Sequence, residues 1–215
     1  PERLSGWWSA LTVLLLIGGL QLATHGATEI VGLADVVLGI VSAWFLVKRE
    51  RARANPVVPD DLMANPVLGL SALAAIAAFL ASSALMVALP FRFEQVYGFA
   101  PGQVGLLLLP FPATMLIVAP AAGWLSDKIA ATKLGVVGMT IAIAALLLLA
   151  FLPADPSAFD IGWRLSLAAL GFGLFFAPNS RLLIGQSPRD RAAAAGGLLS
   201  TSRLMGQTLG AALVG

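Results

Sequence analysis

The sequence predicts an all-α membrane protein, a polytopic bundle of about seven spanning helices. Hydrophobic residues make up 59% of the 215 residues and charged residues only 11%, with a mean hydropathy of +0.91. Soluble domains carry roughly 25% charged residues, so this chain has too little polar surface to cover a globule in water, and lipid must be its solvent. The apolar residues also fall into seven segments, each near the ~20 residues that a spanning helix needs.

The first two segments, at about 6–23 and 29–47, are joined by a short turn and followed by a basic cluster at 48–53. A proline-rich stretch comes next, and charges combined with helix breakers indicate a domain boundary. We therefore expect a transmembrane hairpin over residues 1–54 and a cytoplasmic linker over 55–65. Asp35 lies about two turns into the second segment, where a carboxylate is a candidate proton carrier. A peripheral hairpin that lets Asp35 reach the membrane surface is the favoured interpretation.

Residues 66–215 contain the other five segments and form the predicted second domain. They lie at about 66–89, 102–125, 134–152, 162–184 and 192–215. Because the connections are short, neighbouring helices must be antiparallel hairpins. The chain starts with Pro rather than Met and stops inside an apolar run, so we interpret it as a fragment of a longer protein.

Basic residues are distributed unequally between alternate connections: ten lie on one side and two, Arg92 and Arg164, on the other. Basic loops stay in the cytoplasm, so the loops at 48–62, 126–133 and 185–191 are predicted to be cytoplasmic in a multi-pass protein of the plasma (inner) membrane. Topology alone explains these charges, and binding of anionic lipid by the 48–53 cluster is the alternative.

Several classes of function are disfavoured by composition. The chain has no Cys, which excludes disulfides, thiol catalysis and Cys-ligated metal, and its single His and scattered carboxylates argue against a metal site. No phosphate-binding loop or nucleic-acid partner is indicated. We expect neither enzymatic activity nor a cofactor. A retinal protein needs a Lys in its last helix, and the seventh segment has none.

A short charged loop, Gly123 to Leu134, joins the fourth and fifth segments, and its pattern resembles the cytoplasmic loop signature of major facilitator transporters. The residues that fit are Gly123, Leu125, Asp127, Lys128 and Leu134, with Lys133 as a later basic residue. Ala130, Ala131 and Thr132 depart from the family pattern. The resemblance implies a gating role, with Asp127 latching onto a partner in the missing half. Physical reasoning also gives Asp127 a partner, because an anion at a helix C-terminus needs an external cation or another helix N-terminus.

Further stretches resemble the second half of the same family. They are 95–98 with 101–106 and Pro110, Gly171-Phe172-Gly173 with Pro178, and Arg203 to Gly210. The first two segments resemble the extra pair of the fourteen-helix drug:proton antiporters (EmrB/QacA-like). The resemblance implies the major facilitator fold, in a fragment that lacks the first half and the last helix. The partners would be the lipid bilayer, the missing N-terminal half, protons and a small-molecule substrate.

The activity that this resemblance implies is proton-coupled efflux of small amphipathic or drug-like compounds by alternating access. Import or uniport of a small metabolite on the same fold is one alternative. A non-transporting membrane scaffold or sensor is another. Scattered polar residues line the apolar segments without selecting a substrate, and they include Gln95, Gln103, Thr114, Asn179 and Gln207.

Proline and glycine mark special positions in the segments. Pro110, Pro112 and Pro120 remove backbone donors from the fourth segment. The freed carbonyls need protein or water rather than lipid, which favours a bendable, cavity-lining helix over a static kink. Pro178 is a weaker candidate of the same kind.

Gly206 and Gly210 form a GxxxG pair that predicts close helix packing, with sliding during transport as the alternative. Gly123 is expected to pack closely in the same way near the cytoplasm.

Arg203 is a basic residue deep within the seventh predicted membrane segment. It lies about eleven residues into the seventh segment, or ~15 Å from its start at 1.5 Å per residue. A cation at that depth costs at least ~2.5 kcal/mol. We expect Arg203 to face the interior, to pair with a carboxylate or carbonyls, and to help a nearby acid release its proton. Snorkelling to the surface is the alternative.

Overall fold

A computed structural model describes residues 65–187 and 191–214. The chain divides into two compact units, Pro1–Met63 with Gly215, and Ala64–Val214. Only the second unit is described below. The predicted hairpin at 1–54, nearly all of the linker and Asp35 therefore lie outside the described residues.

The described residues fold into helices joined by short loops. The helices are α1 (Pro66–Gln95), α2 (Pro101–Leu108), α3 (Pro110–Leu125), α4 (Ala131–Ala150), α5 (Ala158–Gly185) and α6 (Ala192–Ala212). Four stretches are long and apolar enough to cross a membrane: α1, the run Pro101–Leu125 that combines α2 and α3, α4, and α5. Helix α6 reaches spanning length but carries more polar residues. The predicted all-α membrane fold is confirmed for this part of the chain.

Local sequence signals explain where two of the long helices begin. Asn65 accepts a hydrogen bond from the Val67 amide at 3.0 Å, and Pro66 occupies the first helical position of α1, where its missing donor costs nothing. Ser157 caps α5 in the same way, since its hydroxyl accepts from the Asp160 amide at 3.1 Å. These caps fix the starts of α1 and α5 at opposite ends of the bundle.

The fourth predicted segment is one apolar run, Pro101–Leu125, in which regular helical hydrogen bonding is interrupted at Leu109 while the backbone there stays right-handed helical (φ −55°, ψ −34°). Pro110 has no N–H to donate to the Leu106 carbonyl, and the Leu109 amide donates to that carbonyl instead, at 3.3 Å. Pro110 then occupies the first position of α3, and Pro112 lies in its first turn, where a backbone donor has no intrahelical partner in any case. Pro110 thus removes a backbone donor from this segment, as expected, and bending of the segment at Pro110 and Pro112 during transport stays a prediction. Pro120 does lie inside α3, and Pro178 inside α5.

Helix α5 is the central element, with α3, α4, α1 and α6 packed around it. Small residues allow the closest approaches: a Cβ added at Gly138 of α4 would lie 2.7 Å from the Gly171 carbonyl of α5, and one at Gly173 would lie 2.7 Å from Val118 of α3. Apolar area contributes little to helix association in lipid, so such van der Waals contact is what holds membrane helices together.

The lateral surface of the described unit is apolar. Leu116 is 78% exposed and Phe151 81% exposed. Large exposed apolar side chains on every helix are what a lipid solvent permits, whereas water would not tolerate them as one continuous surface.

Candidate functional site

The signature loop between α3 and α4 is held by an arginine from α5. The Arg181 Nη1 atom lies 2.6 Å from the Asp127 Oδ1 atom, and both side chains are about half exposed. The same Nη1 donates to the Gly123 carbonyl and to the Ser126 hydroxyl oxygen, each at 2.9 Å. The guanidinium therefore both neutralises Asp127 and caps the C-terminal end of α3, where a cation suits the helix dipole.

Asp127 thus has a cation partner, as its place at a helix C-terminus predicted. Within the described residues the cation comes from α5, and the expected contact of Asp127 with the missing half stays a prediction. Sequence reasoning counted Arg181 only among the basic residues of one membrane face. The sequence did contain a signal for this contact. Arg181 lies near the end of α5, at the same end of the bundle as the signature loop.

The other signature residues have distinct environments. The Lys128 ammonium lies 3.7 Å from the centroid of the Trp124 ring, a cation–π contact. The carbonyl of Leu125, the last residue of α3, accepts from the Lys128 and Ile129 amides at 3.0 and 2.9 Å. Lys133 is exposed in the first turn of α4.

Gly123 does not pack against another helix of the described unit. A Cβ added there would meet no atom within 4 Å, so the expectation of close packing at Gly123 is wrong for this part of the chain. Its carbonyl serves the loop instead, because it accepts from both Arg181 and Ser126.

Two contiguous cavities lie beside this loop. One, of about 360 Å³, has a mixed lining whose polar members include Ser126, Thr132, Arg181 and Gln186. An apolar groove of about 420 Å³ runs from Thr132 between α1, α4 and α5. Asn179 lines the groove, but its amide donates to the Ser71 carbonyl at 3.2 Å, so this polar group ties α5 to α1.

The candidate coupling residues on α6 lie against α1. Arg203 is exposed, with its guanidinium carbon 5.8 Å from the centroid of the Phe79 ring. No carboxylate or carbonyl from residues 65–187 or 191–214 contacts it, so the expected pairing is not formed within the described unit. The Gln207 carbonyl accepts from the Ser83 hydroxyl at 2.9 Å. Gln95, the last residue of α1, is exposed.

The GxxxG pair lies on the face of α6 that contacts α1. A Cβ at Gly206 would lie 2.5 Å from the Ile76 carbonyl, and one at Gly210 would meet the Leu80 carbonyl. Because residues 206 and 210 contact successive turns of α1 in the same order, α1 and α6 run parallel.

At the opposite end of the bundle, an arginine that sequence reasoning did not single out joins two helices. Arg92, near the end of α1, donates to the Leu149 and Ala150 carbonyls of α4 at 2.9 and 3.2 Å. It also donates to the Tyr97 hydroxyl at 3.1 Å. The last turn of α4 is thereby capped by a cation, as its dipole favours.

Comparison with known proteins identifies the family. The Major Facilitator Superfamily pattern matches residues 3–211. The chain is 38% identical over 96% of its length to an uncharacterized transporter, YebQ of Escherichia coli, covering 45% of that protein. It is 28% identical over 94% of its length to the multidrug resistance protein Stp of Mycobacterium tuberculosis, covering 37% of it. It is also 26% identical over 95% of its length to the riboflavin transporter RibZ of Clostridioides difficile, covering 44% of it.

The chain thus spans less than half the length of each of these relatives. The match to the family pattern nevertheless runs across nearly the whole sequence, and the described helices have the length and apolarity that membrane spans require. Together with the charged loop between α3 and α4, these findings show that the chain belongs to the Major Facilitator Superfamily.

Proposed function

We propose that this protein exports small amphipathic or drug-like compounds in exchange for protons, by alternating access. The observation that carries the proposal is the similarity to Stp, a multidrug resistance protein, over 94% of this chain. The fourteen-helix arrangement predicted from the first two segments belongs to the same proposal. Two helical bundles would rock around a central site, as in other transporters built from repeated bundles.

The contacts at the signature loop support a rigid-body movement. Arg181 bonds Asp127 of the loop, Gly123 of α3 and Ser126 together. Helix α3, the loop and the end of α5 are therefore connected at one end and would move as one body. We propose that this loop faces the cytoplasm, as the distribution of basic residues predicts.

The break at Leu109 supports a local bend during transport. Leu109 alone joins α2 to α3: its amide donates to the Leu106 carbonyl at 3.3 Å, and its carbonyl accepts from the Ala113 amide at 3.1 Å. Proline breaks are where helices kink, and hinges are short segments that absorb backbone rotation. We propose that α2 changes its angle to α3 as the transporter switches between states.

Arg203 is the proposed coupling residue. It is exposed near the middle of α6. A carboxylate brought to it by another part of the protein would be stabilised in its ionised form by the guanidinium. Such an acid would release its proton in the state that places it beside Arg203 and bind a proton in the other state.

A second candidate function is import or uniport of a small metabolite on the same fold. The similarity to RibZ, a riboflavin transporter, favours this candidate, because it covers 95% of the chain. A scaffold or sensor without transport activity is a third candidate. Direction and proton dependence of transport separate the three.

The test is transport by the full-length protein in inside-out membrane vesicles loaded with no substrate. The lumen of an inside-out vesicle corresponds to the outside of the cell. The lumen is therefore made acidic, and entry of a fluorescent amphipathic dye into it is measured. We expect entry against the dye gradient that stops when a protonophore is added. Entry indifferent to the protonophore would instead indicate uniport. Release of dye from a second set of vesicles preloaded with it would indicate import, and no movement in either set would indicate a non-transporting role.

A further inference from the structure

The apolar groove between α1, α4 and α5 opens at the lateral surface of the described unit. Leu70 of α1 and Val136 and Ile143 of α4 line it, and all three side chains are more than half exposed. Buried Phe175 of α5 lies at its base. The volume of about 420 Å³ is bounded mostly by apolar side chains, which suits a hydrocarbon chain better than water.

The length of the groove matches one leaflet of the bilayer. Along α4 it runs from Ala131, the first residue of the helix, to Ile143. These twelve residues correspond to ~18 Å at 1.5 Å per residue, slightly more than half of a hydrocarbon core about 30 Å thick. At the opposite end of the bundle Arg92 closes α1 against α4 through its hydrogen bonds to the Leu149 and Ala150 carbonyls. The groove therefore has the depth that an acyl chain from the signature-loop side reaches.

The membrane-surface end of the groove leads into the second cavity, of about 360 Å³, beside the signature loop. Ala131, Thr132 and Leu182 line both spaces. Among the described residues that line them, Arg181 alone is charged, and Asp127 contacts its guanidinium from outside this lining. The combined space is thus apolar within the membrane and cationic at its surface, which is complementary to an anionic lipid.

Arg181 has one edge of its guanidinium left for such a ligand. Within residues 65–187 and 191–214, its contacts with Asp127, Gly123 and Ser126 all use Nη1. A guanidinium carries five N–H donors, so the edge formed by Nε and Nη2 keeps its own donors, in the geometry that binds two phosphate oxygens at once. The side chain is 54% exposed. Arg181 can therefore hold the loop and an anionic headgroup at the same time.

We propose that an anionic phospholipid binds in these two cavities. Its phosphate accepts hydrogen bonds from the Nε–Nη2 edge of Arg181, and one acyl chain lies in the groove between α1 and α4. Basic pockets between membrane helices are a known place for anionic headgroups. The lipid bridges α1, α4 and α5 at the end of the bundle where the groove separates α1 from α4, and so stabilises this arrangement. The inference concerns a lipid and does not depend on the direction or the coupling of transport.

The test is photocrosslinking in the full-length protein, reconstituted in nanodiscs of phosphatidylcholine. Two probes carry the same diazirine near the end of one acyl chain: a phosphatidylglycerol, and a diacylglycerol that lacks the phosphate. Mass spectrometry of peptides locates the adducts after illumination. We expect phosphatidylglycerol adducts at residues 139–143, at the deep end of the groove, severalfold more abundant than diacylglycerol adducts. Excess unlabelled phosphatidylglycerol should displace them, and excess glycerol 3-phosphate should not.

The charged end of the site is tested by substituting the arginine. Arg181→Gln should lower the phosphatidylglycerol adducts at 139–143 about tenfold, the size expected for a hydrogen bond to a charged group, and leave the diacylglycerol adducts unchanged. Arg181→Lys should fall between, since it keeps the charge and loses the planar edge. Asp127→Asn is the matched control: it breaks the same ion pair with the loop but keeps the guanidinium, so phosphatidylglycerol adducts should not fall.

The apolar end is tested by filling the groove. Ala74 of α1 is exposed and lines the groove, so the ring of Ala74→Phe should exclude the acyl chain and remove the adducts of both probes at 139–143. Ala144→Phe is the matched control, because it adds the same ring at an exposed position of α4 outside the groove lining, and it should leave the adducts as they are. Both substitutions avoid the packed faces of the helices, and thermal unfolding of each variant checks folding.

Four results would overturn the site. Absence of adducts at 139–143 in the unmodified protein would mean that another part of the protein fills the groove. Equal adducts of the two probes, or no loss in Arg181→Gln, would mean that the phosphate is not recognised. An equal loss in Asp127→Asn would assign the effect of Arg181 to the loop. Displacement by glycerol 3-phosphate would make the cavity a site for a soluble phosphate instead of a lipid.

Discussion

Arg181 determines the geometry of the signature loop, since its single Nη1 atom contacts Asp127, Gly123 and Ser126. The need of Asp127 for a cation followed from sequence, because the dipole of α3 disfavours an anion at its end. Which cation it finds did not follow, because residues 127 and 181 meet only through the packing of α5 against α3. The capping of α4 by Arg92 was not predicted for the same reason. The contact of Lys128 with Trp124 is local, between residues four apart, and was also not predicted.

Arg181→Gln is expected to slow transport severalfold with little loss of stability. The variant releases Asp127 and uncaps α3, while an exposed ion pair contributes only ~0–1 kcal/mol to unfolding free energy. The measurements are initial rates of dye transport and thermal unfolding. Asp155→Asn removes an exposed charge from the α4–α5 loop, away from the signature loop, and should change neither. Transport by Arg181→Gln at the unmodified rate would show that the loop does not depend on this contact.

The helices themselves follow closely from hydropathy and from proline and glycine positions. Every predicted segment between residues 66 and 212 corresponds to helix. The prolines of the fourth segment predicted missing backbone donors, but not the residue at which regular hydrogen bonding stops, because proline is compatible with a kink inside a helix and with the first turn of a new one. The interruption is at Leu109, and regular bonding resumes in α3. Gly123 shows a second limit of prediction from sequence. A glycine permits close helix packing but does not require it, and within the described unit nothing packs against Gly123.

Replacing Pro110 and Pro112 together by Ala is expected to slow transport while folding and membrane insertion persist. Restored backbone donors should let α2 and α3 join into one stiff helix. The measurement is dye transport alongside expression level. Pro101→Ala is the matched control, because Pro101 starts α2, where no intrahelical bond is missing. Unchanged transport in the double variant would assign the break to packing.

Gly206→Ala is expected to destabilise the protein by ~1–3 kcal/mol through overpacking. Its Cβ would lie 2.5 Å from the Ile76 carbonyl of α1, so α6 would have to shift. Gly197→Ala on the same helix is the control: its Cβ would meet nothing within 4 Å, so it should be neutral or slightly stabilising. Denaturation midpoints compare the two, and equal effects would mean that α1 and α6 do not pack through Gly206.

At the level of the molecule, composition and segment lengths already required a lipid-embedded bundle, and the family match agrees with that conclusion. The sequence could not identify which helices touch, because in lipid every face of a spanning helix is apolar and periodicity does not mark the buried face. The small residues Gly138, Gly171 and Gly206 mark it instead, by the close contacts they allow.

Orientation in the membrane is tested by labelling single cysteines in intact cells and in inside-out vesicles. The 215 residues contain no Cys, so Ala130→Cys in the signature loop and Ala154→Cys in the α4–α5 loop introduce defined sites, both exposed. The unsubstituted full-length protein gives the background. A multi-pass bundle with a cytoplasmic signature loop predicts that an impermeant maleimide labels Ala130→Cys only in inside-out vesicles and Ala154→Cys only in intact cells. The reverse pattern, or labelling of both sites from one side, would contradict the bundle and its orientation.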